Sequence, residues 1–594
     1  MFPVSSVSTK PRPPFFILPL LITPITPIIM AANNESSTTM ASPSEPHGDD
    51  MEPDDSSMSR TSTLDAELEP TMSYDINLPN RTLTNAANLD EYIVETREGE
   101  IPGRVEPDGE RRYRLVTFHN NDPENPKNWS KGYKWYITMV VAITCFVVAF
   151  ASSVITPDIE GVADEFHTSD EVALLSVTLF VVGFGIGPLV FAPLSEVYGR
   201  KIIYVSTLLV AVAFVLPCAL AKNLATLLVG RAIDGIAFSA PITIIGGTLA
   251  DLWRAEERGI PMAAFSAAPF VGPAIGPLAG GFLSDNLGWR WLYWLTLILS
   301  GIVWILITFT VPETYAPTIL AKRAAKLRKE TGEPDWVTEQ DLDMRPLGER
   351  MRIFLVMPLK LLFGELIVFL ISLYMSVLYG LLYMFFIAYP IVFSEGKGFS
   401  ASLTGLTFIP IAVGVVASAM CSPFVNKHYL KIIKPYAGRL PPAELRLIPM
   451  MFSCWFIPIG MIIFAWTSYS RLIWVGPTLA GFPVGFGFIF LYNSANNYLV
   501  DTYQDRAASA LAAKTFIRSL WGASVVLFTT QMFHRLGDQW AGTLLAGISL
   551  LCCAIPFLFW RYGERIRRHS KYAYKGGDDV KGAPLPEKTN SSRV

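Results

Sequence analysis

The sequence predicts an all-α membrane protein of twelve transmembrane helices in two six-helix halves, with both termini on the cytoplasmic side. Three observations carry this. Only 17% of the residues are charged against 51% hydrophobic, where a soluble domain is about a quarter charged. Apolar stretches of about 20 residues, the length a helix needs to cross a bilayer, recur twelve times from Trp135 onward. A long polar segment divides them six and six. The net charge of −3 leaves no basic excess that would point to nucleic acid. The partner that this composition predicts is the lipid bilayer.

The elements run in this order. Residues 1–134 form a polar tail that reads as cytoplasmic and disordered, because Ser, Thr, Pro, Asp, Glu and Asn dominate residues 31–125. Within it, residues 14–29 are apolar but hold four prolines, which argues against a spanning helix. No small-x-small cleavage site follows the run, so a secretory signal is disfavoured. Initiation at Met30, with residues 1–29 untranslated, is the simpler expectation. The sequons Asn80-Arg81-Thr82 and Asn128-Trp129-Ser130 then lie in the cytosol and stay unmodified.

The first half, 135–312, holds apolar runs at 135–155, 172–192, 202–221, 224–248, 261–283 and 290–311. The linker, 313–360, opens on the basic stretch Lys322 to Lys329, expected as a helix along the inner membrane surface. The second half, 361–562, holds runs at 365–389, 401–424, 449–468, 472–495, 507–532 and 541–560, and 563–594 form a second cytoplasmic tail. Orientation follows from Lys and Arg in the connections, which are retained in the cytoplasm: 19 fall on the linker's side and 5 on the other. The six cysteines all lie in apolar runs and read as small buried hydrophobes, not as a disulfide or zinc framework.

Two six-helix halves joined by a cytoplasmic linker are the plan of transporters that rock around a midplane site. No GxxxxGK[ST] phosphate loop is present, so the energy source expected is an ion or solute gradient; a small-molecule substrate and protons are the expected partners, with no cofactor, no metal and a monomer. Between Trp135 and Pro312 only two of nineteen charged residues, Arg231 and Asp234, fall inside a span. A charge at membrane depth costs at least about 2.5–3.5 kcal/mol, so such residues are usually paired and functional. Three positions apart, they share one helix face, and a shielded carboxylate beside a guanidinium is suited to exchanging a proton. Asp234 with Arg231 is the first candidate for proton coupling; a fixed structural ion pair is the alternative.

In the second half, Glu365 opens the seventh run, Lys514 and Arg518 share a face of the eleventh, and Asn493, Asn496 and Asn497 cluster at the inner end of the tenth. Tyr379 and Tyr383, four apart, form an aromatic face fit to line a cavity. These five Asn and Tyr residues are the candidate substrate cavity. Gly272, Gly276 and Gly280, with Gly281 and Pro277, make a side-chain-free ridge for close helix packing, kinked by proline. The turn 192–201, with Glu196, Gly199, Arg200 and Lys201, sets an acid and two bases between the second and third runs, a candidate cytoplasmic gate.

These residues resemble the major facilitator superfamily, specifically its fungal twelve-span drug:proton antiporter branch, over about residues 123–565. The turn 192–201 is similar to the superfamily's signature G-x-L-a-D-r-x-G-r-k, with Glu196 for the acid and Ala192 for the first glycine. Arg231 to Gly235 resembles the R-x-x-x-G motif of the fourth span, Gly272 to Gly281 the g-x-x-x-G-P-x-x-G-G antiporter motif, and Pro312-Glu313-Thr314 the P-E-T that closes the sixth span. The resemblance implies a plasma-membrane efflux pump that exchanges drugs, polyamines or fungal secondary metabolites and toxins for protons by alternating access. It implies no enzyme activity. A nutrient importer is the alternative within transport, and a non-transporting sensor the alternative outside it. Two departures shape the expectations: the first span holds no carboxylate, so coupling falls to Asp234 and Glu365, and Asn426 stands where an acid is expected after the eighth span. No matching second latch is therefore expected.

Overall fold

The computed structural model of the chain describes residues 111–573, apart from 120, 255–256, 258, 343–346 and 435–440, together with short strands at 81–82, 91–94 and 104–105. All belong to one compact unit from Pro70 to Val594. The expectations for residues 1–29, for the sequon at Asn80 and for most of both tails lie outside the described residues.

Twelve helices are long and apolar enough to cross a membrane. In the first half they are span 1 (Lys131–Glu165), span 2 (Asp170–Tyr198), span 3 (Arg200–Ala219), span 4 (Leu224–Leu252), span 5 (Phe265–Leu287) and span 6 (Arg290–Thr310). The second half contributes span 7 (Leu366–Glu395), span 8 (Ala401–Ile433), span 9 (Ala443–Thr467), span 10 (Val475–Tyr503), span 11 (Ala507–Leu536) and span 12 (Asp538–His569). Local chemistry sets several ends. The Ser130 hydroxyl accepts from the Tyr133 amide and the Asn223 side chain from the Thr226 amide, capping spans 1 and 4. Gly199 (φ 96°) and Gly537 (φ 78°) stop spans 2 and 11 in a backbone region that side chains disfavour.

Packing pairs span 1 with 5, 2 with 4, 7 with 11 and 8 with 10, and spans 2 and 11 meet across the halves. The glycines of span 5 explain the first of these. A Cβ on Gly272 would lie 2.7 Å from the Phe146 carbonyl oxygen; one on Gly276 would strike Ser153, and one on Gly280 the Val154 carbonyl. Ser153 Oγ donates to the Pro273 carbonyl at 3.0 Å, a group within reach because Pro277 has no N–H to occupy it. Gly281 faces the other half, against Ala401 at the start of span 8, and the Pro277 carbonyl backs Gly405 of the same span. The ridge thus seals one half internally and touches the second.

The region before span 1 departs from the expectation of a disordered tail. Strands β1 (Arg81–Thr82), β2 (Glu91–Val94), β3 (Arg104–Val105) and β4 (Arg111–Leu115) pair antiparallel in the order β1-β2-β4-β3. Strand β5 (Trp336–Val337), from the linker, joins β4 in parallel, with the Arg114 amide donating to Asp335 O at 2.8 Å. Tyr113, Val337 and Leu342 form a buried cluster there. The partner of β4 lies more than two hundred residues away, so local composition carries no sign of it.

The basic stretch of the linker does form a helix, Ala316–Thr331. Arg323 on it turns to the segment before span 1, gripping Asp122 through both guanidinium nitrogens at 2.7 and 3.1 Å. A further helix, Leu347–Gly364, fills the end of the linker and runs into the second half. Five of the cysteines are buried as expected; Cys421, on span 8, is exposed.

Candidate substrate cleft and charge sites

Between the halves lies a narrow cleft whose enclosed cavity is about 30 Å³, room for about two waters. The first half lines it with Ser152, Phe184, Ser239 and Phe270, the second with Tyr379, Tyr383, Tyr492, Arg518 and Ser519. Tyr379 and Tyr383 therefore stand where the sequence places them. Their rings sit 5.0 Å apart and their hydroxyls at 3.4 Å, and Gly522 leaves room for the Tyr379 ring. Of the asparagines, Asn496 accepts from the Lys514 ammonium, Asn493 is partly buried and Asn497 is exposed; none of the three lines the cleft. Tyr492, one residue before Asn493, takes the place foreseen for them. Aromatic residues are so frequent in apolar spans that no sequence signal set it apart.

Tyr383 and Ser152 share a hydrogen bond across the cleft, and further hydrogen bonds that join the halves lie toward the end of the bundle away from the linker. Gln531 donates to Glu171 at 3.1 Å, the Ser402 amide to Asp285 at 2.9 Å, and Thr178 to the Ala523 carbonyl at 3.5 Å. The halves are thus clasped at that end.

Arg231 and Asp234 are buried inside the first half and do not line the cleft. The guanidinium donates to the Ser176 carbonyl at 3.0 Å and the Ala151 carbonyl at 3.2 Å, lies over the Phe180 ring at 4.1 Å, and reaches Asp234 at a long 3.5 Å. It ties spans 1, 2 and 4 together. Asp234 Oδ2 holds that contact, while Oδ1 is buried with no partner. One carboxylate oxygen without a donor is an expensive arrangement in a dry interior.

Glu365 also sits away from the cleft. It accepts from the Tyr503 hydroxyl and from the Lys571 amide, each at 3.2 Å, joining the start of span 7 to the end of span 10 and to the segment after span 12.

The candidate gate is assembled by residues the sequence reading did not pair. Glu313 accepts from the amides of Arg200 (2.9 Å), Lys201 (3.1 Å), Thr314 (3.0 Å) and Tyr315 (2.9 Å), so one carboxylate closes the start of span 3 and its own turn. Any side chain on Gly199 would collide with it. The Arg200 side chain pairs with Asp251 at the end of span 4 (3.3 Å), donates to Ser195 Oγ (2.6 Å) and lies over Tyr315 (4.6 Å). Glu196 offers its carbonyl to Gln340 of the linker at 3.2 Å.

The second half has a latch after all. Arg446 at the start of span 9 pairs with Asp501 at the end of span 10 at 2.7 Å and lies over Tyr429 at 4.0 Å. This repeats the Arg200–Asp251–Tyr315 arrangement without using Asn426. The signal was present as Leu249-Ala-Asp251-Leu-Trp253 and Leu499-Val-Asp501-Thr-Tyr503 at the ends of corresponding helices.

The model of the Major Facilitator Superfamily matches residues 141–526, well over half of the sequence. The chain belongs to this superfamily. Among curated proteins, this facilitator is 64% identical over 507 residues to the MFS-type transporter paaT of Penicillium rubens, covering 85% of this chain and 92% of the relative. It is 44% identical to the major facilitator superfamily multidrug transporter mdrA of Aspergillus fumigatus (80% and 79% covered) and 41% identical to the efflux pump FUB11 of Gibberella moniliformis (77% of each). The solved structure of the proton:xylose symporter XylE matches with a TM-score of 0.52 at 16% identity, over 73% of this chain and 96% of that one, which shows the shared fold. The facilitator is accordingly a multi-pass membrane transporter and no enzyme, within the fungal efflux branch.

Proposed function

We propose that this facilitator exports amphipathic small organic compounds from the cytoplasm in exchange for protons, by alternating access. The observation that carries the reading is the cleft itself, walled by both halves, with further bonds between the halves at the end away from the linker. Rocking the halves apart there and together at the linker end would move the cleft's exposure across the membrane. The relatives named as multidrug transporter and efflux pump support the outward direction. With the linker end cytoplasmic, as the Lys and Arg asymmetry argues, the arrangement described is closed to the outside. The plasma membrane is the proposed location.

Proton coupling is assigned to Asp234, whose unpartnered oxygen is satisfied by taking a proton, with Arg231 as its charge partner. Glu365, held by Tyr503 near the linker end, is the second candidate. The test is solute-driven proton flux in everted vesicles under an imposed proton gradient. Flux in the unaltered protein, lost in Asp234→Asn while the protein stays in the membrane, is the expected result. Absence of flux with every solute from a panel of drugs, polyamines and fungal metabolites would sink the antiport reading.

A further inference from the structure

We propose that the cleft is built for an organic anion: a compound whose carboxylate, or an acid group like it, docks on Arg518 and Ser519 while its apolar body lies among the tyrosines. The proposal rests on the transport reading above and narrows its substrate class.

The argument begins with a charge that lacks a counterpart. Arg518 and Lys514 lie one turn apart on span 11, both at least nine-tenths buried, and Arg518 is eleven residues, about 16 Å, from the helix start at Ala507. A guanidinium stays protonated in any protein environment. Cations at such depth are ordinarily matched by a carboxylate or by backbone carbonyls, as Arg231 is in the first half. Arg518 is not: among the described residues it forms no salt bridge and donates no hydrogen bond, and its Nε is buried without a partner. Its contacts are the faces of Tyr379 at 4.5 Å and Tyr492 at 5.3 Å. Lys514 lies over Tyr492 at 4.5 Å, and its one hydrogen bond goes to the neutral amide of Asn496, so no acid answers it either. Ring faces attract cations but do not neutralise them.

The donors left over converge on the narrow cavity between the halves, which the body of a ligand can enter only as the halves part there. Arg518 and its neighbour Ser519 both line the cleft, and the Ser519 hydroxyl too is buried with no partner. A guanidinium and a hydroxyl on one helix turn present the donors that a carboxylate accepts. Beside them Tyr379, Tyr383 and Phe270 offer ring faces to a flat or aliphatic body. A bound carboxylate would supply the counter-charge that Arg518 lacks. A polyamine would meet the Arg518 cation and no acid, so the same geometry discriminates against it.

The experiment uses the full-length protein in detergent and in liposomes with a matched pair of probes, 4-phenylbutyrate and 4-phenylbutylamine, which share one apolar body and differ in charge. The carboxylate is expected to bind at least tenfold more tightly by thermal shift and to compete with chloride only weakly. Arg518→Gln is expected to abolish that preference and Lys514→Gln to reduce it, with binding of the amine unchanged or improved. If a variant fails to reach the membrane, the probe pair on the unaltered protein still decides. The proposal is overturned if the amine binds as well as or better than the carboxylate, or if chloride protects equally. Failure of the transport reading looks different: the carboxylate binds and yet no gradient moves it into or out of the liposomes.

Discussion

At mid-depth the first half sets Arg231 against Asp234 and two backbone carbonyls, whereas the second half sets Arg518 against two tyrosine rings and the cleft. At the linker end the halves instead agree, each closing an arginine on an aspartate and a tyrosine. The agreement marks the part of the repeat that fixes helix ends, a need both halves share. The difference marks a division of labour: one half matches its buried arginine within its own helices, and the other leaves its arginine available to whatever enters between them.

The sharpest way to break this contrast is to remove the arginine on each side. Arg231→Ala leaves the Asp234 carboxylate buried without its counter-charge and three helices without their tie, and breaking such a pair costs about 3–5 kcal/mol. Loss of most of the folded protein in size-exclusion profiles, or a large drop in melting temperature, is expected. Arg518→Ala removes a cation that has no acid, and its stability should change far less or rise. Equal losses on both sides would erase the distinction between a structural charge and one held for a ligand.

The latches come next. The Arg200–Asp251 pair is the more buried, with side chains 11% and 18% exposed against 27% and 29% for Arg446–Asp501. Charge-assisted hydrogen bonds contribute about 1.5–3 kcal/mol when sheltered and less when solvent screens them. Asp251→Asn is therefore expected to cost about 2 kcal/mol and Asp501→Asn about 1 kcal/mol in unfolding experiments, with the double variant close to additive because the sites lie in different halves. A larger loss at Asp501 would reverse the ranking.

How far the chain could be read beforehand follows from the range of the interactions involved. Twelve spans and the shared face of Tyr379 and Tyr383 were legible because hydropathy and helical spacing are local. So was the role of Gly272, Gly276 and Gly280 as a packing ridge, since a bare surface every four residues has one obvious use. What the reading missed depends on distant partners. Glu313 sits more than a hundred residues from the amides of Arg200 and Lys201, and β4 is as far from β5. The asparagine cluster on span 10 was misjudged for a different reason: a helix shows which residues share a face but not which face meets the cleft. Lys514 and Arg518 were visible as a pair, yet their lack of an acid is a statement about every neighbouring helix.

The smallest effect concerns an attachment that, among the described residues, the first half alone possesses. The segment before span 1 is held to the linker by Arg323 on Asp122 and Glu124, and the linker reaches the gate turn through Gln340 on the Glu196 carbonyl. The Arg323 guanidinium beside Asp122 holds its carboxyl below the usual carboxylate range, the cost of burial working in the opposite direction. A lowered folded-state value means the stabilisation is fully present above the ordinary aspartate range near 4 and is lost only as pH falls through the depressed value. Hydrogen exchange at residues 111–119 should therefore stay flat from about pH 7 to 5, after correction for intrinsic rates, and protection should fall only in stronger acid. Asp122→Asn is expected to remove this acid dependence and to cost about 1 kcal/mol of local protection, because Arg323 keeps Glu124 as a partner. If that variant also loosened the Arg200 latch, the attachment would be part of the first half's gate; if span 9 and its Arg446 latch loosened with it, the asymmetry between the halves would end at mid-depth.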